Sequence, residues 1–389
     1  MTKPIYADYA AHAPLSAAAR DTLTRCLAMD ETCGNPSSLH PYGETAAAIL
    51  ANARQTIADW CGVPAHRLFF TSGGTESDYV GIYALAHAAV GRRTIVRSAV
   101  EHPAVSAACD CLAREGFAVR IAPVDENGVV TVASVASVWT EDTGLCTVLA
   151  AQNETGVVMP IAALADFAHS HDAYFFTDAV SFAPYRSQHA LAPYVDGLSV
   201  AAHKCGGPLG VGALYLRDVP GLRSPISGGG QESGMRGGTE SFPLAAAFAA
   251  AVSERTDARA WECAGRRMEE TLRARFPTMR IPGEAAERVG GIHCLVFPAL
   301  AARGVTGENL ALSLAMVGLY ASPGAACHSG SDEPSATLRA MGYPPETARA
   351  MIRLSFGHGV PETEYERAAE VIGACVERML IVSEMDGVL

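Results

Sequence analysis

Lys204 lies in Ala202-His203-Lys204-Cys205-Gly206-Gly207-Pro208, between an apolar run ending at Val200 and another beginning at Gly212. A lysine amine that loses its proton on burial can add to a carbonyl and form an imine. Taken singly, a lysine in a Gly/Pro loop is also an ordinary surface residue. Asp178, in Phe176-Thr177-Asp178-Ala179, closes an apolar run. Its carboxylate could face a protonated ring nitrogen or simply cap a strand end. Thr71-Ser72-Gly73-Gly74-Thr75-Glu76-Ser77 joins a strand to a helix. Glycines let backbone N–H groups approach an anion, and the helix start adds the positive end of its dipole. The segment therefore reads as a phosphate cradle or as a capped strand-to-helix turn. Cys327, in Gly324-Ala325-Ala326-Cys327-His328-Ser329-Gly330, sits among small polar residues. An exposed thiol there is a candidate mobile nucleophile or an incidental loop cysteine. What narrows these alternatives is the order: glycine turn, carboxylate, lysine. Phosphate cradle, ring-nitrogen partner and imine-forming amine are the attachments that pyridoxal phosphate (PLP) requires.

These segments need a scaffold that brings them to one edge. Apolar β-type runs occur at Leu68–Thr71, Thr94–Arg97, Ala118–Ile121, Thr147–Ala151, Ala173–Thr177, Leu198–Val200 and Gly212–Leu216. Ala-rich helical stretches such as Ser77–Ala89 and Pro160–Ser170 separate several of them. That alternation predicts an α/β layer with a mostly parallel seven-stranded sheet, whose ligands sit at the carboxyl ends of the strands. Beyond Arg255 the texture changes. A helix over Ala258–Arg275, strands near Met279–Pro282 and Ile292–Phe297, a helix near Glu308–Met316, a strand near Met351–Phe356 and a helix from Pro361 predict a smaller α+β lobe. The expected division is a large domain over 15–255 and a small one formed by 1–14 with 256–389.

The 389 residues are 49 % apolar, enough to bury a sizeable core. The formal charge of −12 argues against unassisted binding to nucleic acid or to an anionic membrane, while leaving room for a basic partner protein. The 11 cysteines form no C-x-x-C pair and no zinc-ligand set. Their odd number, without a signal peptide, predicts a reducing cytoplasm and thiols used as small apolar fillers. No apolar run is long enough to span a bilayer. The richest, Pro243–Val252, reads as a buried helix.

With these segments in view, the chain resembles the class V aminotransferase superfamily of fold type I PLP enzymes. Within it, the chain resembles the cysteine desulfurase and selenocysteine lyase family. The resemblance runs through Asp8-Tyr9-Ala10-Ala11, Gly34-Asn35-Pro36-Ser37-Ser38, the glycine turn, Glu101-His102, Asn153-Glu154-Thr155-Gly156 and Asp178-Ala179. It continues through His203-Lys204, Gly228-Gly229-Gly230-Gln231-Glu232, Arg236-Gly237-Gly238-Thr239-Glu240, the Cys327 segment and Arg353-Leu354-Ser355-Phe356-Gly357. It implies that Lys204 anchors the cofactor and moves the substrate α-proton, that Asp178 pairs with the pyridinium, and that His102 stacks on the ring. It implies that Gly74, Thr75 and His203 hold the phosphate and that Thr239 reaches the phosphate of a neighbouring subunit, hence a homodimer. Asn153 would lie near the ring hydroxyl and the substrate, and Asn35 with Arg353 would bind the substrate carboxylate. Cys327 would take sulfur from cysteine as a persulfide, releasing alanine and passing the sulfur to an acceptor protein.

Several positions depart from the family pattern. Ser181 stands where Gln usually reaches the ring hydroxyl, and Ala201 where many members have a phosphate-binding Ser. His12-Ala13-Pro14 replaces Thr-Thr-Pro, Asp78 stands where Asn is common, and Ser233 and His358 replace Arg. These changes keep open a C–S lyase acting on a cysteine S-conjugate, and the stretch Gly324–Ser329, which resembles selenocysteine lyases, keeps open that reading beside cysteine desulfuration.

Overall fold

The computed structural model describes residues 3–29, 32–254, 259–324 and 333–386. Its strands are β1 (Ile5–Tyr6), β2 (Leu68–Thr71), β3 (Thr94–Ser98), β4 (Ala118–Ala122), β5 (Thr143–Thr147), β6 (Tyr174–Asp178), β7 (Gly197–Ala201), β8 (Gly212–Leu216), β9 (Ile292–Val296), β10 (Leu319–Tyr320) and β11 (Met351–Ser355). Seven of them form one sheet in the order β2-β8-β7-β6-β5-β3-β4. β3 to β7 run parallel, and β8 lies antiparallel between β7 and β2. The mostly parallel seven-stranded sheet expected from the run order is present.

β5, β7 and β8 are buried along their whole length. β7 and β8 read as apolar runs because residues on both of their faces are buried. β4, at the edge, buries only Ala122 and leaves Arg120 exposed, which blunts the edge against pairing with another chain. Helix Gly74–Ala88 lies across β6, β7 and β8. It can approach that closely because residue 81 is glycine: a Cβ there would come 2.4 Å from the Phe176 ring. Helix Phe242–Ser253 packs against helices Ala17–Leu27 and Pro41–Cys61, burying Ala245, Ala247 and Phe248. This is the buried helix expected over Pro243–Val252.

β4 and β5 flank β3 on opposite sides, so the strand order reverses there. A crevice opens at the carboxyl ends of strands at such a reversal. The C-terminal region pairs β9 with β11 antiparallel and β1 with β10 in parallel. Helices Arg259–Arg275, Gly307–Met316 and Glu362–Asp386 accompany these strands. Asp8 bridges Ser355, which ties the first residues to this region.

Two strand expectations need correction. The run Thr147–Ala151 is the exit of a strand that occupies Thr143–Thr147. All residues from Thr143 to Ala151 are buried, so the apolar pattern continues past the last ladder position and conceals the boundary. Met279–Pro282 forms no strand; only Arg280 makes an isolated bridge, to Val296.

Candidate active site

β6 and β7 deliver the two central groups. Asp178 ends β6, 6 % exposed, and its Oδ1 accepts the Val180 N–H at 2.8 Å. The turn Ala202–Lys204 follows β7 and carries Lys204. Lys204 Nζ donates to the carbonyls of Ala10 and Ala11, the latter at 3.0 Å. The N-terminal segment is fixed beside this amine by Tyr6, whose hydroxyl donates to the His12 carbonyl at 2.8 Å, and by the Ala13 N–H, which donates to the His203 carbonyl at 2.9 Å. Lys204 also lines a cavity of about 270 Å³ with Tyr9, Ser16, Tyr185, Glu254 and His358.

His102 caps helix Pro103–Arg114, with its Nδ1 accepting the Ala104 N–H at 3.1 Å. That bond commits Nδ1 as the acceptor, so a neutral ring carries its proton on Nε2. Polar atoms of His102, Asp178 and Asp78 all lie within 4.8 Å of one another. Burial raises the Asp178 carboxyl above the usual range, opposed by His102, the Val180 N–H and Lys204. Burial, then the charges of Lys204, His12 and His102, push the His203 ring down to about 4. The His12 and His203 rings lie 6.2 Å apart and nearly parallel. Glu101 is half-buried as a residue, yet its Oε2 is out of reach of solvent and of any hydrogen-bond partner. Burial raises Glu101 to about 8 although the Ser98 hydroxyl donates to its Oε1 at 2.6 Å.

The glycine turn joins this group through Gly74. A Cβ at residue 74 would stand 2.9 Å from Val180 Cγ2 and 3.7 Å from Ala201 Cβ. The turn therefore touches the residue two beyond Asp178 and the residue three before Lys204. Thr71 Oγ1 and Ser77 Oγ are 2.7 Å apart, and the Ser72 N–H donates to Glu76 Oε2 at 2.9 Å. Glu76 is held in turn by Arg236 at 2.9 Å. The first-turn N–H groups of Gly74, Thr75 and Glu76 have no intrahelical acceptor and are available to an anion. An amine, a buried carboxylate, an imidazole and a helix start thus meet at one crevice, a donor set that fits PLP.

The remaining expected residues are placed less uniformly. Arg353, on β11 and 1 % exposed, pairs with Asp8 at 2.8 Å and donates to the Asn153 carbonyl at 3.1 Å. Its Nε is buried without a partner. Arg353 and Asn153 are therefore brought together, with Asp8 holding the guanidinium. Asn35 is exposed, and its side chain accepts the Ser37 N–H at 2.9 Å. Thr239 is exposed, and Ser181 is half-buried in the turn after Asp178. Cys327 lies outside the described residues. Gly324 and Glu333, the nearest described residues on either side, line a cavity of about 400 Å³ with Arg97, Glu101, Asn153 and Thr337. Asp78 entered the sequence reading only as a departure from a pattern. Its helical spacing from Gly74, one turn on and on the same face, was the available signal that it faces the crevice.

The family described as aminotransferase class-V matches residues 5–367. A cysteine desulfurase of Cereibacter sphaeroides is 37 % identical, across 91 % of this chain and 92 % of its own. The cysteine desulfurase IscS of Shewanella woodyi is 35 % identical across 99 % and 96 %. Among solved structures, a NifS-like protein superposes with a TM-score of 0.84 at 26 % identity, covering 96 % of this chain and 99 % of that one. SspA in complex with cysteine superposes with a TM-score of 0.77 at 29 % identity, covering 91 % and 99 %. With the sheet order, the crevice and these matches in agreement, the chain belongs to the class-V aminotransferase family and has a fold type I architecture similar to that of the NifS-like protein.

Proposed function

We propose that this chain is a PLP-dependent cysteine desulfurase. The observation that carries the reading is the meeting of Gly74, Val180 and Ala201, which puts a phosphate-type turn, Asp178 and Lys204 at one crevice with His102. Lys204 would anchor the cofactor; Asp178 would face its ring nitrogen; His102 would cover the ring; Gly74, Thr75 and His203 would hold the phosphate. PLP bound there supplies an electron sink that acidifies the substrate α-carbon. Lys204, whose amine donates to the Ala10 and Ala11 carbonyls, would take and return that proton. The imidazole of His203, kept neutral, adds no second cation beside the amine. Arg353, with Asn35 and Asn153, would receive the substrate carboxylate, Arg by its two-pronged geometry.

In the sulfur-transfer step the Cys327 thiolate attacks the substrate sulfur. An S–S bond forms as the C–S bond breaks, and the electron pair stays with the substrate carbon, which takes a proton and leaves as alanine. The product on the protein is a Cys327 persulfide, to be passed to an acceptor thiol. Supporting this substrate are the cysteine desulfurase relatives across nearly the full chain and the cysteine named in the SspA structure. The same reading includes a homodimer in which exposed Thr239 reaches the neighbouring site, and a cytoplasmic location. Among the described residues no helix is long and apolar enough to cross a membrane. We also take 15–255 as the cofactor-binding domain and 1–14 with 256–389 as the smaller one. The β1–β10 pairing and the Asp8–Ser355 bridge support that division.

The test replaces Cys327 with Ala and follows alanine and sulfide from cysteine by mass spectrometry, with selenocysteine and S-substituted cysteines alongside. The expected outcome is loss of at least about a hundredfold in cysteine turnover, the scale set by removal of a nucleophile, with cofactor binding retained. Unchanged turnover would defeat the persulfide step. Pyruvate and ammonia as the products would make the protein a C–S lyase instead.

A further inference from the structure

Asp78 projects from helix Gly74–Ala88 into the same crevice, 1 % exposed, with carboxylate oxygen within 4.8 Å of polar atoms of both Asp178 and His102. The Ser199 hydroxyl on β7 donates to its Oδ1. The titratable groups facing it are Asp178 at the end of β6, and Glu101 and His102 on the loop after β3. Two acids therefore share one imidazole, and the charge of a third, Glu101, reaches Asp78. Two buried carboxylates this close cannot both be ionised at small cost; one keeps a proton. The surroundings decide which. Asp178 receives the Val180 N–H and is faced by His102 and Lys204, all of which favour its anion. Asp78 accepts the Ser199 hydroxyl, which favours its anion, but this one donor is outweighed by burial and by the charge on Asp178. Burial first, and then the charge on Asp178, hold Asp78 well above the usual carboxylate range.

We propose that Asp78 is a positioning residue: it stands as a neutral acid behind Asp178 and leaves Asp178 as the ionised partner for the cofactor's ring nitrogen. The last clause rests on the PLP reading above; the placement of the proton does not. Asp78 thereby acts on the cofactor through Asp178, without touching the reacting atoms. Once ionised, it adds a second negative charge beside Asp178 and makes any ring nitrogen held there more basic.

The experiment compares wild type, Asp78→Asn, Asp78→Ala and Glu101→Gln, each as the full chain with and without PLP. Infrared difference spectroscopy at neutral pH reads the C=O stretch of neutral carboxyl groups. The expected result is a neutral-acid band in wild type that persists in Glu101→Gln and loses its Asp78 component in Asp78→Asn. Glu101→Gln separates the contribution of the other buried acid. The dissociation constant for PLP should rise about tenfold in Asp78→Ala, which strands Ser199, and be largely restored in Asp78→Asn, which keeps that hydrogen bond. The absorbance of the bound cofactor should shift with alkaline pH in wild type and lose that limb in Asp78→Asn. An Asp78→Asn protein that retains the whole infrared band, or that binds PLP as weakly as Asp78→Ala, would overturn the proposal. If wild type shows the band but takes up no PLP, the proton placement is upheld and the cofactor reading fails.

Discussion

His203 carries its own pH signature. Its ring is pushed down to about 4, while an unburied imidazole titrates near 6.5. A group depressed on folding contributes stability that is present above the unfolded value and is lost as pH falls through the folded one. Chemical denaturation should therefore show the protein weakening between about 6.5 and about 4. His203→Asn should flatten that fall. Asp78 and Asp178 are raised on folding and contribute with the opposite sign, so the difference between variant and wild type is the quantity to read. An unchanged slope in His203→Asn would mean that the ring protonates freely in the folded protein. Taken singly, neither Lys204 in its Gly/Pro loop nor Asp178 at a strand end had a legible role; their order after the glycine turn is what singled them out. Asp78 and Glu101 were harder to assign, because an acid in a helix or a loop is ordinarily solvated, and burial is a property of the fold.

At the scale of elements, Glu232 joins three of them. It accepts both guanidinium nitrogens of Arg54, at 2.6 and 2.7 Å, and the Phe70 N–H at 2.8 Å. Helix Pro41–Cys61, β2 and the turn Gln231–Gly234 are thereby clamped together, and the backbone of Glu232 and Ser233 is held at φ of 48° and 54°. Breaking a buried pair strands the remaining charge, so Glu232→Ala should destabilise by about 3 kcal/mol, and by less when Arg54 is removed as well. Urea unfolding of both single variants and the double variant measures the coupling. β2 and β8 fall on the runs read from sequence, since turn residues bound each of them. β5 slipped by several residues because burial continues beyond its end, and an apolar run does not mark where hydrogen bonding stops. The pairing of β1 with β10 joins segments of two residues each, too short to show a period.

For the molecule as a whole, the N-terminal segment and β11 converge on the crevice. Arg353 from the C-terminal region pairs with Asp8, and the carbonyls of Ala10 and Ala11 receive the Lys204 amine. The crevice is thus built from the parallel sheet together with the N-terminal segment and β11. The buried Cys61, Cys109, Cys146 and Cys294 lie far from this chemistry in character: burial raises every one of their thiols, as expected of apolar fillers. Alternating apolar runs and helical stretches made the sheet and its crevice readable, whereas the contacts of the N-terminal segment with Arg353 and Lys204 depend on distances no local pattern encodes. The whole arrangement stands or falls on Lys204. Borohydride reduction of the PLP-loaded protein, followed by peptide mass spectrometry, should place a pyridoxyl group on Lys204, and Lys204→Ala should carry none. A label on another lysine, or no label on the wild-type chain, would contradict the assignment of this crevice as a PLP site.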